Sequence, residues 1–329
     1  MKKELILSNA GLLALRRDDG NLAPGEICLA NEARFTEQFY SEPLTAFGIG
    51  FRDPADIEGE LEFVAPRVPT GRRFEFKKAT NAEEFYSETD DERGIGADFK
   101  RVAYTGTSVN EKTINKGLTF RADLDQYADQ PNWRESITGK LIRRIWRNDL
   151  RRAKTVLAAA ANNTAKTWDT TALKDPDLDV LNDLVAAADV SGIQPNRILY
   201  GQTAWAKRLL SLRAQNLKGQ GNSATLTPAE LAAWLGVDDL RVSKARYASS
   251  ATAKTQLVAN LVLMYYAEAG QSPDEASNIK RFVSAVEGGG FLRVYEQQVS
   301  AKLVDITVEH YSNIVITSSG NSIRKFTVS

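Results

Sequence analysis

The sequence predicts an α+β chain in which an α/β block is inserted between two sets of strands. Three observations predict it. One helical period runs unbroken from Pro131 to Asn163. Strand-type alternation flanks the interior of the chain, at 59–120 and again at 285–329. Between the helix and the second strand set, 176–284, strands alternate with helices.

Residues 1–50 mix short apolar patches with Gly, Asp and Asn, and no period spans them. They read as an extended arm with a short helix at Glu32–Tyr40, carrying Phe35, Phe39 and Tyr40 on one side. Such an arm finds its partners elsewhere, on another subunit. Residues 59–120 read as strands. Leu61, Phe63 and Val64 precede Pro66, and Phe74 and Phe76 alternate with Arg73, Glu75 and Lys77. Val102 with Tyr104, then Ile114, Leu118 and Phe120, give two more. Between the Phe74–Phe76 strand and the Val102–Tyr104 strand runs a polar connection at 81–98 with six acids, Glu83, Glu84, Glu88, Asp90, Asp91 and Glu92, ending in Arg93-Gly94-Ile95-Gly96. That connection is long for a compact domain. A two-stranded ribbon with such a tip is not stable alone in water, so it needs a surface to lie on.

The long helix opens at Pro131. Trp133, Ile137, Leu141 and Ile145 form one apolar row, and Ile142, Trp146, Leu150, Ala153, Leu157 and Ala160 a second. Gly139 is its weak point, costing roughly 1 kcal/mol against Ala. The remaining surface is basic: Arg134, Lys140, Arg143, Arg144, Arg147, Arg151, Arg152 and Lys154, against only Glu135 and Asp149. One face belongs to the helix's own domain and the other offers cations.

After a linker at 164–174, Asp175-Pro176 supplies an N-cap and a first-turn proline for a helix that ends at Gly192. Arg197–Tyr200 is a short buried strand and Thr203–Leu217 a helix, followed by a polar loop at Gln220–Ala224. Thr227-Pro228-Ala229-Glu230 is a capping box, and its helix closes at Gly236. Strands follow at Leu240–Arg246 and Leu257–Ala267. The last stretch has strands at Phe291–Val299, Lys302–Tyr311, Asn313–Thr317 and Ile323–Val328, which pair most simply with the earlier strands beside the long helix.

Composition narrows the chemistry. Of 329 residues 43% are hydrophobic, enough for a sizeable core, and 42 Lys and Arg balance 42 Asp and Glu. Zero net charge is not the global signature of a nucleic-acid binder, although one basic helix still allows it. A single cysteine, Cys28, excludes an internal disulfide framework and a cysteine zinc site. The start MKKELIL is too short in its apolar part for a signal peptide or a membrane span, so the chain reads as soluble and intracellular. The one histidine, His310, shares a strand face with Val304, Ile306 and Val308 and reads as a satisfied core or interface residue. The glycine clusters at 48–50, 94–96 and 288–290 lack the strand-to-helix setting of a phosphate loop. The acidic run lacks calcium-loop spacing. No cofactor, metal or catalytic residue is expected. Instead, an acidic ribbon that needs a surface and a basic helix that offers one predict a head-to-tail contact between copies, which repeats until it closes a ring or shell. The contact residues are the six acids together with Arg134, Lys140, Arg143, Arg144, Arg147 and Arg151.

The order of parts resembles the major capsid protein of tailed bacteriophages, with its Hong Kong 97-type capsid fold. Phe63-Val64-Ala65-Pro66-Arg67-Val68-Pro69-Thr70-Gly71 resembles that family's lead-in to its extended hairpin, and Phe74-Glu75-Phe76 its aromatic strand. Phe85-Tyr86 and the tract through Ile95 match the hairpin tip in character. Pro195 to Gly201, then Gln202-Thr203-Ala204-Trp205, are similar to a strand-to-helix step of the inserted domain.

The resemblance implies an N-terminal arm at 1–50, a peripheral-domain strand at 51–65 and an extended β-hairpin loop at 66–119. It implies a long backbone helix in a peripheral domain at 120–175, an inserted α/β axial domain at 176–284 and peripheral terminal strands at 285–329. Copies would form the hexamers and pentamers of an icosahedral shell around double-stranded DNA, assembled in a bacterial cytoplasm, with separate scaffolding, portal and decoration proteins as further partners and no membrane. Lys77, Lys78 and Asn81 lie near the hairpin tip, but nothing in their spacing indicates the Lys–Asn crosslink of some members. Two other functions fit the residues. One is the shell of a bacterial nanocompartment. The other is a sequence-nonspecific DNA-binding protein using 134–154.

Overall fold

The computed structural model describes residues 39–78, 92–96, 98–99, 107–127, 129–171, 174–215, 225–250, 252–268, 270, 277–285, 290–318 and 320–329. The helix expected at Glu32–Tyr40 (apart from Phe39 and Tyr40), the strand at Val102 and Tyr104 and the loop at Gln220–Ala224 lie outside them.

The described chain opens with α1 (Glu42–Gly50) and α2 (Ile57–Val64). α2 corrects the sequence reading, which had a strand at 51–65, and α1 is a helix within the span read as an arm. Ile57, Leu61 and Val64 sit at i, i+4 and i+7 and are all buried, so their spacing is helical. Glu58 and Glu60 in the first turn favour a helix N-terminus, and Pro66 enforces the stop. Then come β1 (Arg67–Thr70), β2 (Arg73–Lys78), β3 (Thr107–Lys112), β4 (Ile114–Asp123), the single turn α3 (Leu124–Tyr127) and the long helix α4 (Trp133–Ala160). β5 (Asn162–Lys166), α5 (Pro176–Ser191), β6 (Arg197–Gly201), α6 (Gln202–Ala214), α7 (Pro228–Leu235) and β7 (Asp239–Ser243) follow. The chain closes with β8 (Arg246–Ala248), β9 (Lys254–Gln256), β10 (Leu261–Tyr265), β11 (Ile279–Ser284), β12 (Arg293–Gln298), β13 (Leu303–Ile316) and β14 (Arg324–Val328). β13 merges two strands that the sequence pattern separated at Ser312.

These elements fall into two compact units. The smaller takes 118–141, 292–309 and the described part of 1–50; the larger takes 51–117, 142–291 and 310–329. In the smaller unit β12 pairs antiparallel with the first half of β13, from Arg293↔Glu309 to Gln298↔Val304. Val294, Val304, Ile306 and Val308 are buried there, as are Trp133, Ile137 and Leu141 of α4. α1 is anchored on β12: Ser41 donates its N–H to the Val294 carbonyl, and Thr45 Oγ1 accepts from the Val294 N–H. Arg121 of β4 makes a two-pronged bond to the buried Asp305 at 2.7 and 2.9 Å.

The larger unit holds two sheets of different origin. In one, β1 runs parallel to β11, and β11 pairs antiparallel with the second half of β13. The β2–β3 ribbon stands at its side, paired from Arg73↔Lys112 to Lys78↔Thr107. The ribbon is fixed at its root by aromatic packing. Phe74 and Phe76 point to one face of β2, and their ring centroids lie 4.2 and 5.5 Å from that of Phe282 on β11, with Val68 closing the cluster.

The other sheet has the order β5-β14-β10-β6-β7. Its core is Trp168, Tyr200, Val262, Met264 and Phe326 with Val180, Leu184, Leu231 and Leu235 from the helices. The helix signals read from the sequence are all present. Asp175 accepts from the Asp177 and Leu178 N–H groups, Thr227 and Glu230 close a reciprocal capping box, and Gly192 and Gly236 end their helices at φ 72° and 71°. The buried Arg208 of α6 grips Asp177 of α5 at 2.6 and 2.8 Å. Two pairings differ from expectation. β14 lies between β5 and β10 and pairs with none of the strands of 59–120, because Phe326 and Val328 complete this core. β11, expected in the α/β block, joins β1 and β13 instead, and β5 turns part of the expected linker into an edge strand.

Candidate functional site

The long helix behaves as its two apolar rows require. Trp133, Ile137, Leu141, Ile142, Ile145, Trp146, Leu150, Ala153 and Leu157 are all buried. Its cations divide into two sets. Arg134 donates to Glu296 at 2.7 Å, and Arg152 donates to Asp149 at 2.7 Å. Arg143 lies 3.2 Å from Asp53 and stacks over the Phe51 ring at 5.2 Å. The second set has no acidic partner among the described residues: Lys140, Arg144, Arg147, Arg151 and Lys154. Arg151 lies over the Tyr247 ring at 4.4 Å, and Arg147 Nε is buried with no acceptor among the described residues. Of the six acids expected opposite them, Glu92 is described and exposed; Glu83, Glu84, Glu88, Asp90 and Asp91 lie outside the described residues.

One acid of this helix was misread. Asp149 is buried, and it is a hub within the larger unit. Its Oδ1 accepts from Lys116 Nζ on β4 at 3.0 Å and from Arg152 at 2.7 Å. Its Oδ2 lies 2.8 Å from His310 Nε2 and accepts from Ser312 Oγ at 3.2 Å, both on β13. Lys116 also donates to Ser312 Oγ at 3.0 Å. Burial would push the Asp149 carboxyl up. The His310 bond and charge, with the Lys116 charge, outweigh it and hold the carboxyl well below the usual carboxylate range. Burial pushes the Lys116 ammonium down, and Asp149 opposes that shift. The sequence did carry the signal. At 3.6 residues per turn Asp149 falls inside the apolar arc, between Ile145 and Ile142.

The hub contains Ser, His and Asp, but not as a relay. Ser312 Oγ and Asp149 Oδ2 share the same His310 nitrogen, Nε2, whereas a nucleophile and its orienting acid need opposite sides of the ring. Ser312 is fully buried, so no substrate reaches it. The arrangement ties β4, α4 and β13 together through buried charge. Among the described residues no group of three His, Cys, Asp or Glu side chains is placed to hold a metal ion. No described helix is long and apolar enough to cross a membrane. An open cleft of about 340 Å³ is lined by Arg52, Asp53, Asp56, Glu58, Glu62 and Arg67, a mixed-charge surface without a nucleophile.

No protein-family model matches the sequence, and no curated protein is similar to it. Solved structures are similar in fold. A phage-related protein from Bordetella bronchiseptica RB50 superposes with a TM-score of 0.63 at 16% identity, over 88% of this chain and 97% of that one. The capsid structure of the cyanophage P-SCSP1u superposes with a TM-score of 0.51 at 11% identity, over 94% of this chain and 99% of that one. The chain therefore has the fold of a phage capsid protein, a mixed α+β fold of helices and several sheets.

Proposed function

We propose that this chain is a major capsid protein: many copies assemble into an icosahedral shell around the double-stranded DNA genome of a tailed phage. The observation that carries the reading is the likeness to the cyanophage capsid, which takes in 94% of this chain and leaves out almost none of that one. The chain's working parts are contact surfaces, and it is not an enzyme. Its single histidine is spent on holding Asp149. The β2–β3 ribbon, rooted by Phe74, Phe76 and Phe282, is the base of the extended hairpin 66–119, which lies on a neighbouring copy. The acids of 83–92 meet cations of the neighbour's long helix, with Arg134 and Lys140 as the principal pair. The Arg134 side chain keeps 43% of its surface exposed although it already holds Glu296. Separate scaffolding and portal proteins complete the particle, and its place is the virion capsid.

Electron microscopy of the expressed full-length chain tests the reading. Closed hollow particles are expected. A chain that stays monomeric at high concentration, with and without crowding agents, overturns it. Particles that enclose a folded protein cargo in place of nucleic acid would move the reading to a nanocompartment shell.

A further inference from the structure

We propose that Arg144, Arg147, Arg151 and Lys154 form a contact for the phosphate backbone of double-stranded DNA. The inference goes beyond the shell reading, because it assigns a partner to a face of the subunit and stands whether or not copies close into a particle.

The four residues step by three, four and three along α4, which places them within an arc of about 80°. That arc lies opposite the buried face of Ile142, Ile145, Asp149 and Ala153. The row extends about 15 Å, the axial length of about four phosphates on one strand. None of the four has an acidic partner among the described residues. The nearby carboxylates are already committed elsewhere: Asp149 to Lys116, Arg152 and His310, and Asp53 to Arg143. In a chain of zero net charge this leaves a straight row of unneutralised cations.

The row continues in a further cation. Lys325 on β14 donates to the Ala158 carbonyl at 2.8 Å and so is held near the end of the helix. Burial pushes the Lys154 ammonium down, and the charges of Lys325 and Arg151 add to that. Like charges gathered at one place are relieved by a partner that is itself a line of charge, and a nucleic-acid backbone is one. A lone carboxylate would neutralise one cation and leave the rest. The Arg151 guanidinium is stacked on Tyr247, and a contact made to phosphate oxygens is independent of sequence.

The test is fluorescence anisotropy of a labelled 24-base-pair duplex with the full-length chain, at a concentration where mass photometry shows single subunits. Wild type should bind with a log–log salt slope of about −3 to −4. Arg144→Gln and Arg151→Gln, both at exposed positions, should each make the slope shallower by about 1, equally on duplexes of different sequence, while Arg144→Lys keeps it. Absence of binding at 50 mM salt, or slopes unchanged in both glutamine variants, overturns the proposal. So does a variant pair that binds DNA like wild type yet fails to form particles, which would assign the row to a carboxylate partner on a second copy. Because particle formation is read by microscopy and DNA binding by anisotropy, either reading can fail without the other.

Discussion

Asp149 shows how one buried carboxylate can set the stability of a region. Four donors from three elements converge on it, and removing its charge strands Lys116 and Arg152 around an uncharged amide. Asp149→Asn should therefore cost about 3–5 kcal/mol in urea unfolding. Its pH signature has a definite sign. The carboxyl is held below its unfolded value of about 3.9, so its contribution is complete above that pH and is lost as pH falls toward the folded value. Below about pH 4, wild type should lose stability about 1.4 kcal/mol per pH unit faster than Asp149→Asn. Parallel acid-unfolding curves for the two proteins would refute this. Lys116 has a slope of the same sign at higher pH: burial penalises its charge and holds it below its unfolded value, so the penalty is present at neutral pH and fades as pH rises toward 10. The sequence showed Asp149's angular position but not its partners, since Lys116 is 33 residues away and His310 161.

At the level of elements, whatever depends on neighbours in sequence was legible and whatever depends on distant partners was not. The α4 rows, the Thr227–Glu230 box and the glycine stops are local patterns, and each has the predicted form. Thr227→Ala should cost about 1 kcal/mol, read as a lower melting temperature. The Ile57–Val64 helix was hidden because eight residues offer two turns of period, short enough to resemble a strand ahead of Pro66. Strand pairing lies beyond any local pattern. Phe282, more than two hundred residues after Phe74, closes the aromatic root of the ribbon. Phe282→Ala should cost about 3–5 kcal/mol and raise hydrogen exchange in β2 and β3 above that in β6 and β10. Equal exchange across both sheets would show that the ribbon is held by something else.

For the molecule as a whole, the order strands, long helix, inserted block, strands was enough to indicate a mixed α+β fold of capsid type, while the membership of each sheet was not. Arg134, its partner Glu296 and Lys140 all belong to the smaller unit. Arg134→Glu with Lys140→Glu should abolish particles in micrographs. The isolated subunit should melt within about 1 kcal/mol of wild type, since an exposed pair such as Arg134–Glu296 contributes little. Normal particles from this variant would remove the helix from the contact between copies. The place of β14 has a further consequence, in time. Asn162–Lys166 has no strand to lie against until Arg324–Val328 exists, because β14 alone separates β5 from β10. The ribosome must therefore deliver Arg324–Val328 before this sheet can close. Until then the exposed flank of β10 is an open edge. On the shell reading, the order of synthesis thus withholds a finished sheet, and with it an assembly-ready subunit, until Arg324–Val328 has emerged.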